Sequence, residues 1–244
     1  EESRRAWAEI HDRLALDGQA PDRYGICLDW SMGYPAAERS GRPRGTGMIL
    51  DGVDDFRALT AMAPVAPHFG DFVLGTPAAL ENTTAAILAG STTIGNLGQY
   101  FTFRLPGWHD DVATTLATVE ALGLIAGQSR PMLVHSNLDD GCAAWFEDMR
   151  SALGFAMIER HVVETLIGVP LGHCFGHTFT EPVKRLAFHV ALSRVSPTPG
   201  TMLYGNTTLY GAEPIANYGA LASYLLVDAY ALHARPTGHA LTPI

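Results

Sequence analysis

The sequence lacks the marks of several common classes of protein. Its three cysteines, Cys27, Cys142 and Cys174, are too few and too scattered for a disulfide framework, so we expect a reducing, cytoplasmic setting. No apolar run is long enough to span a membrane, and the first five residues lack the apolar core of a signal peptide. Acidic residues outnumber basic ones, 25 to 16, and the net charge of −9 argues against a nucleic-acid partner.

Familiar catalytic and nucleotide-binding signatures are also missing. The chain has no dinucleotide fingerprint after an early strand, no P-loop, no G-x-S-x-G elbow and no cysteine–histidine nucleophile signature. His173 to Gly176 spell H-x-x-G, which is part of the signature of base-off cobalamin domains. That signature needs an aspartate two residues before the histidine, and Leu171 stands there. We therefore reject His173 as a cobalamin ligand.

What the sequence does contain is a regular alternation of predicted strands and helices. Six or seven strand–helix units recur over 244 residues, and their apolar runs are short and continuous, as in parallel strands buried on both faces. This pattern predicts an α/β fold, a (β/α)8 barrel of the TIM type, forming a single domain over residues 1–244. The chain starts without methionine and stops at Ile244, so we expect a trimmed, incomplete barrel. A doubly wound sheet is the alternative.

Periodicity and punctuation residues place the individual elements. Helices are predicted over 4–16, 53–62, 78–88, from 112 onwards with Val112, Leu116, Val119 and Leu122 in step, 143–168 with an interruption at Gly154, 181–195 opened by Thr180, and 215–230. Strands are predicted over 24–30, 69–76, 91–94, 131–134, 169–175, 200–204 and 232–236.

The loop after the strand at 91–94 is the stretch around which we organise the chain. Gly95, Asn96, Gly98 and Gln99 combine two glycines, which let the backbone approach a ligand, with two amides that can hydrogen-bond to it. A β/α barrel places its chemistry in such loops. An ordinary turn between a strand and the next element is the alternative.

Polar residues recur at the ends of other predicted strands. They are His135 and Asn137, His173 and His177, Asn206, and Arg235 and His239. On one barrel these ends meet at one face, so we expect them to gather with Asn96 and Gln99 around one cavity. Because His173 and His177 lie on a strand and a loop rather than on one helix face, we predict polar substrate contacts and no metal site.

Several stretches resemble the barrel subunit of adenosylcobalamin-dependent glutamate mutase (methylaspartate mutase). They are Gly75-Thr76-Pro77 before a helix, the 89–98 segment, the strand–loop–helix over 172–192, and the final helix, strand and Thr-Gly-His-Ala loop over 220–244. The resemblance covers roughly residues 68–244. It implies a radical carbon-skeleton rearrangement in which the cofactor supplies the radical and the barrel shields intermediates from water.

We name candidate roles for particular residues. His173 and His177 are the candidate catalytic residues. The candidate substrate contacts are Asn96, Gln99, Arg104, His135 and Asn206. Arg235 and His239 lie in the stretch that covers the cofactor's adenosine in that family. The corrin would come from a separate small cobalamin-binding subunit, because this chain carries no cobalamin domain of its own. Such a protein would work as an oligomer.

This sequence differs from the family at positions whose side chains bind glutamate in that family. Val73 and Leu74 replace an Arg-His pair, Gly95 replaces a glutamate, and Phe101 replaces a tyrosine. We therefore expect a small amino or carboxylic acid other than glutamate as substrate. Two alternatives remain: a barrel lyase or hydrolase that uses the strand-end histidines, and a barrel subunit that has lost catalysis.

Overall fold

The computed structural model describes residues 2–19, 21, 23–62, 64–139, 148–176, 181–204 and 211–241, without the side chains of Ser3 and 239–241. The chain forms two compact units, Glu1–Val134 and His135–Ile244, and each is described by itself. Both are built from parallel strands flanked by helices, so the predicted α/β class is confirmed. None of the described helices combines the length and apolar content that crossing a bilayer requires.

Unit 1 contains four parallel strands in chain order. Its elements are α1 (Glu2–Leu16), β1 (Arg23–Ile26), α2 (Val53–Thr60), β2 (Ala66–Phe69), α3 (Ala79–Leu88), β3 (Thr93–Ile94), α4 (Gln99–Thr102), α5 (Asp111–Ala126) and the start of β4 (Leu133–Asn137), with 3-10 turns at Trp30–Gly33 and Ala36–Glu38. Ile26, Phe69, Ile94 and Val134 lie side by side in register and are buried. Phe56 of α2 packs on Phe69, so this face of the strands contacts the helices.

Unit 2 continues the same pattern. The end of β4 is followed by α6 (Met149–Arg160), a π-helical turn (His161–Ile167), β5 (Leu171–Phe175), α7 (Pro182–Val195), β6 (Thr201–Tyr204), α8 (Pro214–Ala234) and β7 (Gly238–Leu241). The helix-facing core of this unit contains Phe155, Phe175, Phe188 and Leu203. Phe175 and Leu203 are register partners of β5 and β6, so they project from the same face of the strands.

The strand order distinguishes between the two predicted architectures. The order is sequential from β1 to β7 with every recorded pairing parallel, whereas a doubly wound sheet reverses its order at a switch point. The sequential order is that of part of a β/α barrel. Among the described strands no pairing joins β7 to β1, so a complete eight-stranded barrel is not present in this part of the chain.

Two predicted strands are wrong. The strand predicted over 69–76 ends at Phe69, because Val73 and Leu74 are buried in a loop whose Leu74 N–H donates to the Gly95 carbonyl. The apolar residues predicted as a strand over 232–236 instead end α8, and the strand begins at Gly238. In both places an apolar run is buried by tertiary packing rather than by strand pairing, and pattern alone does not separate the two cases.

Three helix details also differ from the prediction. Helix α6 runs through Gly154 without interruption, because a helix tolerates an interior glycine at a cost of about 1 kcal/mol. Helix α7 is capped by Glu181, whose carboxylate accepts from two backbone N–H groups, while Thr180 lies outside the described residues. Of the four α5 residues that recur at helical spacing, only Leu122 is buried. The three exposed ones are Val112, Leu116 and Val119.

A buried ion pair joins the helices and strands of unit 2. Arg185 of α7 donates from Nε and Nη2 to the two carboxylate oxygens of Asp228 in α8, at 3.1 and 2.5 Å. The same guanidinium donates to the carbonyl of Gly176, which follows β5, at 2.8 Å. It also donates to the carbonyl of Tyr204, which ends β6, at 2.6 Å. Gly176 has a φ of +124°, and a Cβ there would lie 2.0 Å from the Tyr204 carbonyl oxygen. The ion pair therefore depends on a glycine at this position.

We predict that Asp228→Asn lowers the free energy of unfolding by about 3 kcal/mol or more, because it leaves the buried Arg185 charge without its counter-ion. The matched control is Asp54→Asn, which removes one partner of the exposed Asp54–Arg57 pair. That control should leave stability unchanged within error. Urea denaturation of the purified variants measures both, and equal effects for the two variants would contradict the structural role given to Arg185 and Asp228.

Candidate ligand-binding site

Asp71, Asn96 and Gln99 form a polar cluster at the carboxyl ends of β2 and β3. Asp71 follows β2 by two residues, and its Oδ1 accepts from the Asn96 side-chain amide at 3.4 Å and from the Gln99 side-chain amide at 3.3 Å. The two amides are nearly buried, while Asp71 is partly exposed. We call these three residues the amide–carboxylate cluster.

Backbone groups fix the orientation of both amides. The Asn96 Oδ1 accepts from the Gly98 N–H at 3.0 Å, and the Gln99 Oε1 accepts from the Phe72 N–H at 2.7 Å. With each amide oxygen occupied by a donor, each NH₂ group is left to face the acceptor on Asp71. The orientation of the cluster is therefore set by the chain itself before any ligand is present.

The backbone beside Asp71 is held in an unusual conformation. Phe72 has a φ of +59°, in the left-handed region that a bulky residue adopts at a cost of about 1–3 kcal/mol. Its carbonyl accepts from Asn82 in α3 at 3.0 Å, and its N–H donates to Gln99. Its ring meets the Phe103 ring edge-on at 5.2 Å. Such strain is concentrated at functional sites, which favours this position as a ligand site.

The two loops that meet here are packed tightly against each other. A Cβ at Gly75 would lie 2.5 Å from the Tyr100 backbone nitrogen, and Gly75 has a φ of +73°. Gly95 donates from N–H to the Phe69 carbonyl and accepts from the Leu74 N–H. Close backbone approach therefore requires a glycine at position 75, and backbone hydrogen bonds of Gly95 join its loop to Phe69 and Leu74.

Asp71 was hidden from sequence reasoning. The prediction of one strand over 69–76 places Asp71 inside a strand, whereas β2 ends at Phe69. The available signal is the dipeptide Gly70-Asp71 directly after an apolar run, which is typical of a strand followed by a loop. The predicted contacts Asn96 and Gln99 do lie together, and the carboxylate that joins them is the residue that was missed.

The other candidate of unit 1, Arg104, lies at the surface. Its side chain is 64% exposed and donates to Asp111 Oδ2 at 2.7 Å. The shifted pKa values of this unit also belong to residues outside the cluster. Burial raises the pKa of Tyr24, and it raises that of Tyr34 against the opposing charge of Arg42. Burial likewise lowers the pKa of Arg39.

His173 in unit 2 points toward the helices. Its Nε2 lies 3.1 Å from Glu159 Oε2 and its Nδ1 lies 2.8 Å from Ser196 Oγ, and Glu159 also accepts from Ser136 at 2.7 Å. All four side chains are buried. Because strand residues alternate between faces, His173 shares the helix-facing side with Phe175. His173 therefore lies in a buried hydrogen-bonded network, and its catalytic role stays a prediction.

His135 lies on the opposite face of its strand. Ser136 faces Glu159, so the neighbouring His135 projects the other way, and its Nδ1 lies 3.9 Å from Cys174 Sγ. Beyond it the end of β4 is joined to the end of β5, because Asp139 accepts from the Gly176 N–H at 2.8 Å. At this edge of unit 2 the Asp139 carboxylate is therefore held by a backbone N–H group.

The remaining predicted site residues lie elsewhere or cannot be placed. Arg235 is exposed and lies in the connection from α8 to β7, at the amino end of that strand rather than at its carboxyl end. His239 lies within β7, and its side chain is not described. His177 and Asn206 lie outside the described residues. In the part of the chain that is described, no three His, Cys, Asp or Glu side chains lie close enough to hold a metal ion together.

A comparison of the chain with protein-family models finds no match, and a comparison with curated proteins finds none either.

Proposed function

We propose that this chain is the barrel subunit of a cobalamin-dependent carbon-skeleton mutase-like enzyme, and that it holds a small amino or carboxylic acid other than glutamate. The observation that carries the proposal is the meeting of the 70–76 and 95–100 loops around the amide–carboxylate cluster. These loops contain two of the stretches that resemble the mutase family. The finer fold assignment, a (β/α)8 barrel, belongs to the same proposal.

The departures from the family favour a ligand with fewer negative charges. Val73 and Leu74, in place of an Arg-His pair, are fully buried. Gly95, in place of a glutamate, uses both its backbone groups within the scaffold. The cluster carries one carboxylate, and Arg104 is paired with Asp111 at the surface. A ligand carboxylate placed beside Asp71 would meet a like charge, and none of the three residues of the amide–carboxylate cluster carries a positive charge to offset it.

Asp71 favours the opposite kind of ligand group. Within the described residues its Oδ2 accepts no hydrogen bond, so an ammonium or amide N–H of a ligand can donate to it. Such charge-assisted hydrogen bonds are about twice as strong as neutral ones. The cluster therefore suits an amino acid whose side chain is uncharged, and L-glutamine is the neutral counterpart of glutamate.

The described residues do not fit the cofactor contact predicted for Arg235. A barrel exposes its cofactor at the carboxyl ends of the strands, whereas Arg235 is exposed at the amino end of β7. We therefore assign no step of the reaction to the cofactor through this chain. The lyase or hydrolase alternative has less support, because His173 is bonded to Glu159 and Ser196 within the helix-facing layer.

We predict that the purified chain binds L-glutamine more tightly than L-glutamate, and that Asn96→Ala weakens glutamine binding by about 1–3 kcal/mol. The affinity falls because the substitution removes the amide that donates to Asp71. It also removes a side chain whose position beside the ligand is fixed. Isothermal titration calorimetry measures both affinities, and Asn217→Ala, an asparagine whose partner is Gly211, is the matched control. Glutamate binding that is tight and unaffected by Asn96→Ala would show that the ligand lies elsewhere.

The mutase class has its own test. We predict that the chain forms a complex with a small D-x-H-x-x-G protein from the same genome loaded with adenosylcobalamin, since the corrin must be supplied by another chain. Sedimentation velocity at the absorbance wavelength of the corrin measures the complex. If the corrin sediments only with the small protein while glutamine still binds to the barrel chain, the ligand site stands and the mutase assignment fails.

A further inference from the structure

Helix α8 exposes a broad uncharged apolar face. Its five large exposed side chains are Ile215, Tyr218, Leu225, Leu226 and Tyr230, with exposures of 87, 72, 42, 74 and 60%. They recur at helical spacing on one side of the helix. The opposite side contains Tyr224, Asp228 and Ala231, which are buried within unit 2. A helix that is apolar on both sides is normally covered on both sides.

The charge pattern of this face is equally unusual. The only residue in α8 that is formally charged at neutral pH is Asp228, and it is buried against Arg185. The exposed face therefore carries no formal charge along the helix. Surfaces that face water carry charges, whereas the centres of protein interfaces are depleted of them.

The size of the face matches one side of a stable dimer. The five side chains present roughly 700 Å² per chain, close to the roughly 800 Å² that each partner contributes to an interface of standard size. Helix α5 has a smaller exposed stripe, Val112, Leu116 and Val119, of roughly 300 Å². That stripe is flanked by the exposed acids Asp111 and Glu120. It therefore lacks both the area and the neutrality of the α8 face.

We propose that the α8 face is the interface between two copies of this chain, related by a two-fold axis near Ala222. A second copy presents the same neutral apolar face, so it buries no unpaired charge, and a two-fold contact is self-complementary. Exposed Ala222 lies midway between Ile215 and Tyr230. Its small side chain, and the absence of a side chain at exposed Gly219, let the two helices approach closely. The proposal is independent of the proposed function.

Sedimentation equilibrium of the purified chain at micromolar concentration tests the proposal. The wild-type chain should have twice the mass of one chain, and Leu226→Glu should raise the dimer dissociation constant by ~100-fold or more, because it places two like charges at the interface. The matched control is Leu116→Glu on α5, which should leave the dimer intact. Circular dichroism melts check that each variant is folded.

Cysteine cross-linking gives a second readout that does not depend on weakening the dimer. In a Cys27→Ser background, which removes the described exposed cysteine, Ala222→Cys should form a disulfide-linked dimer on mild oxidation. Val112→Cys on α5 should not. A monomeric wild-type chain, a dimer insensitive to Leu226→Glu, or equal cross-linking at the two positions would each overturn the proposal.

Discussion

The carboxyl ends of the parallel strands are the places where this fold must satisfy backbone groups that strand pairing leaves without partners. Buried side chains do so at the ends of β1, β5 and β6. Asp29 accepts from the Ser31 and Gly47 N–H groups after β1, and Asp139 accepts from the Gly176 N–H beside β5. Arg185 donates to the carbonyls after β5 and at the end of β6. Burial of these polar groups is tolerated because each is paired.

The same constraint separates the candidate site from the scaffold. At the ends of β5 and β6 the guanidinium of Arg185 is fully engaged by Asp228 and two carbonyls. After β2, by contrast, Asp71 is partly exposed and uses one carboxylate oxygen for two amides. Among the residues that the structure describes, the other oxygen accepts no hydrogen bond. A carboxylate that is fixed by its neighbours but not consumed by them is what a binding site requires.

The sequence is informative where a residue's role depends on its immediate neighbours. Asn96 and Gln99 were predicted as site residues from their glycine loop, and they do lie together. Helix α2 and helix α3 follow from apolar spacing and from the glycine and proline signals around them. Strand and helix propensities are local, so these features survive in the fold.

The features that the sequence does not reveal depend on long-range packing. The faces of His135 and His173 are set by which strand residue meets Glu159, and the sequence of the strands alone does not contain that register. The apolar spacing of α5 predicts a helix correctly, but Val112 and Leu116 are exposed, because only packing decides which side is covered. The apolar residues of the α8 face likewise recur at helical spacing, but their side chains are exposed.

The central claim is that a small ligand binds at Asp71, Asn96 and Gln99, and the most direct test observes the amides themselves. The side-chain NH₂ signals of Asn96 and Gln99 can be assigned in ¹⁵N–¹H NMR spectra by their loss in Asn96→Ala and Gln99→Ala. On titration with L-glutamine both signals should shift and saturate together, while the Asn217 signal stays in place. Shifts confined to other side chains, or identical shifts with L-glutamate, would contradict the account.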